Sequence, residues 1–243
     1  MKTRIDINCD LGEGAGNDTA LMPFISSCSI ACGGHCGDKQ SIGTAVTLAQ
    51  QHGVAIGAHP SYPDRDNFGR RSLMLPMQHL LESIERQLDL FFSIASDVHH
   101  VKFHGALYND LARDQKKAEG LIDLVEKYGN SLQVYCPPQS VLLAVVQQST
   151  LTPVVEGFAD RAYTSQGALV ARTHPHAVHR SVDQVVEQAL SLVQNSSLTS
   201  ITGEKLSLAV ETLCFHGDHP RVIDFLKATH HTFKAYQIHV KSL

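Results

Sequence analysis

The chain has 243 residues, of which 43% are hydrophobic, and its formal net charge is −4. The sequence contains no run of lysine and arginine and no apolar stretch long enough to cross a bilayer, so we expect neither nucleic acid nor a membrane as partner. The amino-terminal residues lack the apolar core of a signal peptide, which predicts a cytoplasmic protein whose six cysteines are reduced.

Seven short segments have the residue pattern of β-strands, and amphipathic helices separate most of them. The predicted strands are Arg4–Cys9, Cys28–Cys32, Val54–His59, Val101–His104, Gln133–Cys136, Pro153–Gly157 and Leu208–His216. The predicted helices are Lys39–His52, Met77–Ala95, Lys116–Tyr128, a helix that opens with a capping box at Ser181, and Arg221–Tyr236. This alternation predicts a parallel sheet with helices outside, in one domain over residues 1–243. Seven strands suit either an open doubly wound sheet or a barrel close to the eight-stranded type.

The first predicted strand has a polar face. Asp6, Asn8 and Asp10 alternate with apolar residues, so the three polar side chains lie on the same side of the strand. A fully buried parallel strand is expected to be apolar on both faces. The pattern therefore indicates a polar barrel interior or a site, and an edge strand wetted on one side is the alternative.

Four predicted strands lead to a histidine at or beyond their carboxyl ends, namely His35, His59, His104 and His216. The carboxyl ends of parallel strands meet at one edge, where the sites of α/β proteins lie. We therefore expect these imidazoles to converge with Asp10. One carboxylate with two or three imidazoles suits zinc, manganese or iron, which polarise a carbonyl and activate water. Without a metal, the same side chains could act as acid, base and oxyanion donors.

Other polar motifs follow the predicted strands. The segment DLGEG at residues 10–14 matches neither G-x-x-x-x-G-K-[ST] nor G-x-G-x-x-G, so it is not an ordinary nucleotide-binding loop. Arg70 and Arg71 follow the third strand and could clamp a carboxylate or a phosphate, although a solvated turn is equally reasonable.

Two further clusters are ambiguous from the sequence. Glu156, Asp160 and Arg161 follow the sixth strand, where an internal salt bridge is at least as reasonable as catalysis. The C-x3-C-x3-C run from Cys28 to Cys36 lacks the second cysteine pair that zinc sites usually carry. We expect these thiols to be small buried groups that pack like apolar side chains.

Six of these segments resemble the motifs of the LamB/YcsF family, which is understood as the A component of 5-oxoprolinase. The matching segments are INCDLGEGAGND, SIACGGHCGD, GVAIGAHPSYPDRDNFGRR, VKFHGALYND, EGFADRAY and CFHGDHP, between residues 7 and 220. The resemblance implies a seven-stranded parallel α/β barrel that is TIM-barrel-like and similar to the glycoside hydrolase/deacetylase superfamily.

The resemblance also implies a reaction, the opening of 5-oxo-L-proline to L-glutamate with ATP as cosubstrate and subunits B and C as partners. By analogy with deacetylases, it implies a divalent metal (zinc, manganese or magnesium) held by Asp10, His59 and His104. The alternatives are a stand-alone metal-dependent amidohydrolase or deacetylase and a non-catalytic substrate-binding subunit. Because no phosphate-cradling loop is visible, we expect little oxoproline-dependent ATP hydrolysis by this chain alone.

Together, the strand pattern and the matched motifs define two sets of candidate residues. The catalytic candidates are Asp10, Glu13, His59, Lys102, His104 and His216. The substrate-binding candidates are His35, Arg70, Arg71, Asn109 and Asp218.

Overall fold

Seven parallel strands close into a barrel in the computed structural model, which describes residues 2–243. The strands in chain order are β1 (Arg4–Leu11), β2 (Ser27–Ala31), β3 (Ala55–His59), β4 (Val98–Val101), β5 (Gln133–Cys136), β6 (Thr152–Phe158), β7 (Ser197–Thr199), β8 (Lys205–Ser207), β9 (Thr212–Phe215) and β10 (His239–Val240). The barrel order is β1-β2-β3-β4-β5-β6-β9. Strands β7 and β8 form an antiparallel hairpin, and β10 adds a short parallel pairing to the start of β1.

Closure of the barrel depends on β1, which pairs with both β2 and β9. Cys9 is in register with Cys28 on one side and with Phe215 on the other. The predicted barrel is therefore confirmed, and the open doubly wound sheet is excluded. The alternative of a wetted edge strand fails for the same reason, since β1 has neighbours on both sides.

Helices surround the barrel. They are α1 (Asp18–Leu21), α2 (Lys39–His52), α3 (Met77–Phe92), α4 (Gly105–Leu111), α5 (Gln115–Glu126), α6 (Val141–Val146), α7 (Val182–Asn195) and α8 (Val222–Ala235), with a 3-10 turn at Met22–Phe24. Among residues 2–243, no helix combines the length and the apolar character that a bilayer crossing requires.

Helix α2 shows how local sequence sets the bounds of an element. The Asp38 side chain accepts a hydrogen bond from the Ser41 amide, and the Ser41 hydroxyl accepts one from the Asp38 amide. Gly53 ends the helix at φ +65, a left-handed conformation that glycine adopts at little cost. The side chains that face the barrel recur at helical spacing and are buried: Ile42, Ala45, Val46 and Ala49.

The floor of the barrel is a network of hydroxyl groups around one carboxylate. Asp6 is fully buried, and its Oδ2 accepts hydrogen bonds from Ser27 Oγ at 2.7 Å and Thr212 Oγ1 at 2.5 Å. Tyr135 Oη donates to the same oxygen at 3.2 Å, and Ser26 Oγ donates to Oδ1 at 2.6 Å. A buried carboxylate is tolerated when donors surround it, so the polar face of β1 lines a satisfied interior.

The structure corrects several predicted element bounds. Strand β4 is Val98–Val101 rather than Val101–His104, so Lys102 and His104 lie beyond the strand. His104 immediately precedes α4, a helix the sequence pattern did not predict. Strand β2 ends at Ala31, which places His35 in the following loop, and the last barrel strand begins at Thr212 rather than Leu208.

Two local expectations have different outcomes. The Ser181 side chain makes no capping hydrogen bond at the start of α7, so the predicted capping box is wrong. Cys28 and Cys32 are buried as expected, whereas Cys36 is only half-buried. These thiols therefore contribute packing, and none of them belongs to the carboxylate–imidazole group described below.

Candidate functional site

A cavity of about 610 Å³ opens at the carboxyl ends of the barrel strands. Ten of the eleven candidate residues line it: Asp10, Glu13, His59, Arg70, Arg71, Lys102, His104, Asn109, His216 and Asp218. His35 is buried just behind the wall, where its Nε2 lies 2.8 Å from Glu13 Oε1. The structure therefore brings all of the candidate residues to one place.

Glu13, His35, His59 and His104 form a tight carboxylate–imidazole cluster. One nitrogen or oxygen from each side chain lies within 4.8 Å of the others. His59 Nε2 is 3.0 Å from His104 Nδ1, and Glu13 Oε1 is 3.4 Å from His104 Nδ1 and 3.9 Å from His59 Nε2. The rings of His35 and His104 are stacked with their centroids 3.6 Å apart. Three imidazoles thus surround one glutamate oxygen.

Backbone carbonyls orient two of these rings. His59 Nδ1 donates to the Lys102 carbonyl at 2.6 Å, and His104 Nε2 donates to the Phe68 carbonyl at 2.9 Å. Phe68 itself has φ +54, a left-handed conformation that costs energy for a non-glycine residue and that turns its carbonyl towards the ring. In the neutral rings, the remaining nitrogens therefore face each other as two lone pairs. A proton or a metal ion between them relieves that repulsion.

The donor set fits a divalent metal. Ligand atoms about 2.0–2.2 Å from a tetrahedral ion lie roughly 3.4 Å apart. The contacts of Glu13 with the three imidazoles span 2.8 to 3.9 Å, and all four ligand atoms lie within 4.8 Å of one another. Imidazole nitrogen with one carboxylate oxygen suits zinc or manganese better than magnesium, which prefers oxygen ligands. Carbonyl acceptors on the outer nitrogens are also the usual support of metal-bound histidines. Glu13, His35, His59 and His104 are therefore the residues that would hold the ion.

Asp10, a predicted ligand, lies at the edge of this cluster. Its Oδ2 is 3.4 Å from His59 Nε2, while its Oδ1 accepts a hydrogen bond from Lys102 Nζ at 2.9 Å. The ammonium of Lys102 also contacts Glu156 Oε1 at 2.9 Å and Asn8 Oδ1 at 3.0 Å. Lys102 therefore links the polar barrel floor to the carboxylate beside the imidazoles.

Burial and charge act together on these groups. Burial disfavours the charged form of Asp10, but the neighbouring His59 and Lys102 outweigh it and hold the pKa of this carboxyl well below its usual range. Burial also opposes the charge of Lys102, yet Asp10 raises the pKa of the ammonium well above its ordinary value. Lys102 is thus a charged group at neutral pH, suited to positioning Asp10 rather than to taking up a proton.

The imidazoles differ among themselves. Burial lowers the pKa of His35 and holds that of His104 well below the ordinary value. Burial acts in the same direction on His59, but the Asp10 carboxylate raises the pKa of His59 above the ordinary value. In the absence of a metal, His59 is therefore the ring of the cluster that most readily carries a proton.

A second group faces the cavity from β6 and β9. His216 Nδ1 donates to Asp160 Oδ1 at 2.8 Å, and the His216 amide donates to Asp160 Oδ2 at 2.9 Å. Burial disfavours the charged carboxylate, but the charge and hydrogen bonds of His216 lower the pKa of Asp160 to about 2. The arrangement fixes the ring so that Nε2 is left for the cavity, while Phe158 stacks on the ring at 5.5 Å. Asp160 was not among the candidate residues, although the motif EGFADRAY contains it.

The predicted substrate-binding residues have distinct surroundings. Arg70 Nη2 bonds Asp218 Oδ2 at 2.7 Å, so two of the candidates satisfy each other. Asn109 Nδ2 bonds the Gly105 carbonyl within α4. Arg71 lines the cavity and makes no ion pair with any residue from 2 to 243. The salt bridge considered for Arg161 does not form, because Asp160 pairs with His216 and Glu156 with Lys102.

The fold and the site together define an α/β-barrel protein with a carboxylate–imidazole centre at the carboxyl ends of its strands. The chain belongs to the LamB/YcsF family, whose sequence pattern matches residues 5–243. The family resemblance of the motifs is thereby confirmed.

Solved structures share this fold, and one of them is also similar in sequence over the whole chain. A lactam utilization protein from Thermus thermophilus is similar at 31% sequence identity and a TM-score of 0.91, over 100% of both chains. The catalytic domain of a peptidoglycan N-acetylglucosamine deacetylase from Eubacterium rectale is 13% identical with a TM-score of 0.53, over 100% of this chain and 89% of that chain. A GH18 chitinase from Pseudoalteromonas aurantia is 10% identical with a TM-score of 0.56, over 93% and 99%. The last two share the predicted barrel fold with this chain.

Proposed function

We propose that this protein is the A component of an ATP-dependent 5-oxoprolinase, which opens 5-oxo-L-proline to L-glutamate together with subunits B and C. The observation that carries the proposal is the carboxylate–imidazole cluster at the barrel mouth of a LamB/YcsF family member. The similarity to a lactam utilization protein over the whole chain supports a lactam as substrate, since 5-oxoproline is a five-membered lactam.

A lactam carbonyl resists attack because amide resonance protects it. Phosphoryl transfer from ATP to the lactam oxygen forms an O–P bond, breaks the terminal P–O bond of ATP and releases ADP. Water then adds to the activated carbon, and the ring C–N bond breaks as the nitrogen leaves with a proton. Hydrolysis of the resulting acyl phosphate releases phosphate and leaves the new carboxylate of glutamate.

The side chains in the cavity suit the proton transfers of this sequence. Asp160 fixes His216 so that Nε2 can accept a proton from water and return it to the departing nitrogen. A divalent metal held by Glu13, His35, His59 and His104 would polarise a carbonyl and lower the pKa of water at that place. Asp10, kept ionised by Lys102, supplies a second carboxylate beside His59.

The partner requirement gives the direct test of this proposal. Release of glutamate and ADP from 5-oxoproline and ATP should be measured for the purified chain, for the two partner proteins, and for the mixture of all three. We expect turnover in the mixture and little with this chain alone, because the sequence contains no phosphate-cradling loop. Robust turnover by the single chain, or none by the mixture, would contradict the proposal.

A stand-alone metal-dependent amidohydrolase or deacetylase is the second candidate, and the metal-compatible cluster is the observation that favours it. The two functions differ in their need for ATP. Hydrolysis of a lactam or an acetylated amine by the metal-loaded chain without ATP would support this second function, and strict dependence on ATP would exclude it.

A further inference from the structure

Arg161 is a buried arginine that forms no ion pair with any residue from 2 to 243. Its side chain is only 6% exposed, and none of the carboxylates in residues 2–243 lies within salt-bridge distance of it. Nε donates to the Ala177 carbonyl at 3.1 Å and Nη2 to the Val170 carbonyl at 2.7 Å. A guanidinium has five N–H groups, so these two bonds leave Nη1 and one proton of Nη2 uncommitted. Arg161 lines the cavity, where a ligand can reach the uncommitted donors.

A second arginine lies close by. Arg172 is exposed, lines the same cavity and forms no ion pair with residues 2–243. Burial and then the charge of Arg172 lower the pKa of Arg161 to about 10, so Arg161 remains cationic at neutral pH. The carboxylates of Asp160 and Asp218 are near enough to interact with the charges of Arg161 and Arg172, respectively, but no carboxylate in residues 2–243 forms an ion pair with either guanidinium. Two cations in one cavity without an ion-pair partner favour an anion between them.

The net charge of the residues that line the cavity also favours an anionic ligand. Its lining carries six lysine and arginine side chains against four aspartate and glutamate side chains, in a chain of formal net charge −4. Three of those cations already have a carboxylate partner: Lys102, Arg70 and Arg113. The excess positive charge is therefore located at the remaining arginines, and Arg161 is the most buried of them.

We propose that Arg161 and Arg172 form a subsite for an oxyanion of the bound substrate and make the site selective for carboxylated lactams over neutral ones. Arg161 and His216 line the same cavity, and Arg161 directly follows Asp160, whose carboxylate holds the His216 ring. Strand β6, which leads to Arg161, lies three strands around the barrel from β3, which ends at His59.

This inference rests on the proposed function for the identity of the ligand. In 5-oxoproline the lactam carbonyl and the carboxylate flank the ring nitrogen on opposite sides. A carbonyl that faces the imidazole cluster therefore directs the carboxylate to another part of the wall. An arginine fork matches a carboxylate with two hydrogen bonds, and a phosphate offers the same chemistry.

The test measures binding by calorimetry on the purified full-length chain, with 5-oxo-L-proline, with neutral 2-pyrrolidinone and with inorganic phosphate as separate probes. The variants are Arg161→Gln and Arg172→Gln, and Arg86→Gln is the charge-matched control because Arg86 is exposed on α3 outside the cavity. Thermal melts and metal content verify that each variant is folded. Arg161→Gln removes two hydrogen bonds to backbone carbonyls and could unfold the protein. In that case the test relies on Arg172→Gln, because Arg172 is exposed.

We expect the wild-type chain to bind 5-oxoproline more tightly than 2-pyrrolidinone. Each cavity variant should lower the affinity for 5-oxoproline by about 10- to 100-fold, which corresponds to the loss of a hydrogen bond to a charged group, and should leave the affinity for 2-pyrrolidinone unchanged.

Equal binding of the two lactams, or unchanged 5-oxoproline affinity in the folded variants, would overturn the subsite while the proposed function stands. If only phosphate affinity falls, the subsite serves a phosphoryl group and the selectivity for carboxylates is overturned. If neither lactam binds but phosphate binding depends on both arginines, the oxyanion subsite stands and the proposed function fails. An absence of binding by all three probes would overturn the subsite.

Discussion

At the scale of single residues, two backbone hydrogen bonds determine the chemistry of the imidazole cluster. The carbonyls of Lys102 and Phe68 each accept a proton from one ring and leave the opposite nitrogens of His59 and His104 3.0 Å apart. Neutral rings in these tautomers repel each other unless a cation lies between them. The two side chains should therefore matter for metal retention more than for packing.

Replacement of His59 or His104 by alanine should remove metal and activity together. Each variant loses one of four ligand groups, while the side chain lines a cavity and fills little of the apolar core. Metal analysis, turnover in the three-protein mixture and thermal melts measure the outcome, with the exposed His79→Ala as control. Full activity at unchanged metal content would remove this assignment. A loss of about 1–3 kcal/mol in the free energy of unfolding with residual activity would instead show that the two histidines have a structural role in the core.

The Asp160→Asn variant should reduce turnover by about 100-fold or more. The amide keeps the shape of the carboxylate but can donate to His216 Nδ1, which favours the tautomer with its proton on the cavity side. Turnover as a function of pH, measured beside a thermal melt, separates this effect from unfolding. An unchanged pH profile with unchanged turnover would show that His216 transfers no proton in the reaction.

At the scale of elements, β3 shows why a small residue precedes a functional histidine. Gly57 lies two residues before His59 on β3, where a glycine could leave room for a ligand. Instead, the ring of His100 from β4 occupies that room, and a Cβ added at Gly57 would lie 2.2 Å from its Nε2. His100 in turn bonds Ser29 Oγ at 3.2 Å and stacks on Tyr135 at 4.0 Å. The close approach of the His100 ring, rather than a bound substrate, therefore requires glycine at position 57.

The Gly57→Ala variant should therefore lower the free energy of unfolding by about 1–3 kcal/mol through overpacking. The matched control is Gly43→Ala in α2, where a new Cβ meets nothing closer than Ile94 Cγ2 at 4.0 Å. That control should gain about 0.5–1 kcal/mol, because alanine favours a helix interior over glycine. Urea denaturation of both variants gives the comparison, and equal stabilities would contradict the packing explanation.

At the scale of the whole molecule, buried neutral histidines make stability depend on pH. Burial holds the pKa of His100 well below the ordinary value, and it also lowers that of His35 and His104. In the unfolded chain these rings titrate near pH ~6.5. Below that pH the unfolded chain binds protons that the folded protein does not, so the free energy of unfolding falls as pH falls. His59, whose pKa is raised, contributes with the opposite sign.

The metal-free protein should thus lose stability between about pH 7.5 and about pH 5, and His100→Gln should make that decline shallower. The contribution of His100 is fully present above the unfolded pKa and disappears as pH falls, because its folded pKa is the lower of the two. Urea midpoints at several pH values, after treatment with a chelator, measure both slopes. An identical slope in the variant would assign the pH dependence to other groups.

Local patterns in the sequence were enough to predict the parallel α/β class, most strand and helix positions and eleven of the residues that meet at the barrel mouth, although not Asp160, Arg161 or Arg172. These features follow from local rules, since side-chain alternation and helical spacing are properties of consecutive residues. The carboxyl ends of parallel strands must share one edge, which is why His59, His104 and His216 could be grouped without coordinates. The matched motifs added the family.

Which of these groups touch depends on the folded arrangement of strands and loops. Pairing of β1 with β9 closed the barrel, and the positions of Glu13 and His35 beyond their strands brought them to the imidazoles, while Lys102 bonded Asp10 at the edge of the cluster. The partners of Asp160 and Arg161 were equally invisible in the sequence. Distances between loops depend on how every strand is tilted and packed, and no pattern of neighbouring residues encodes them.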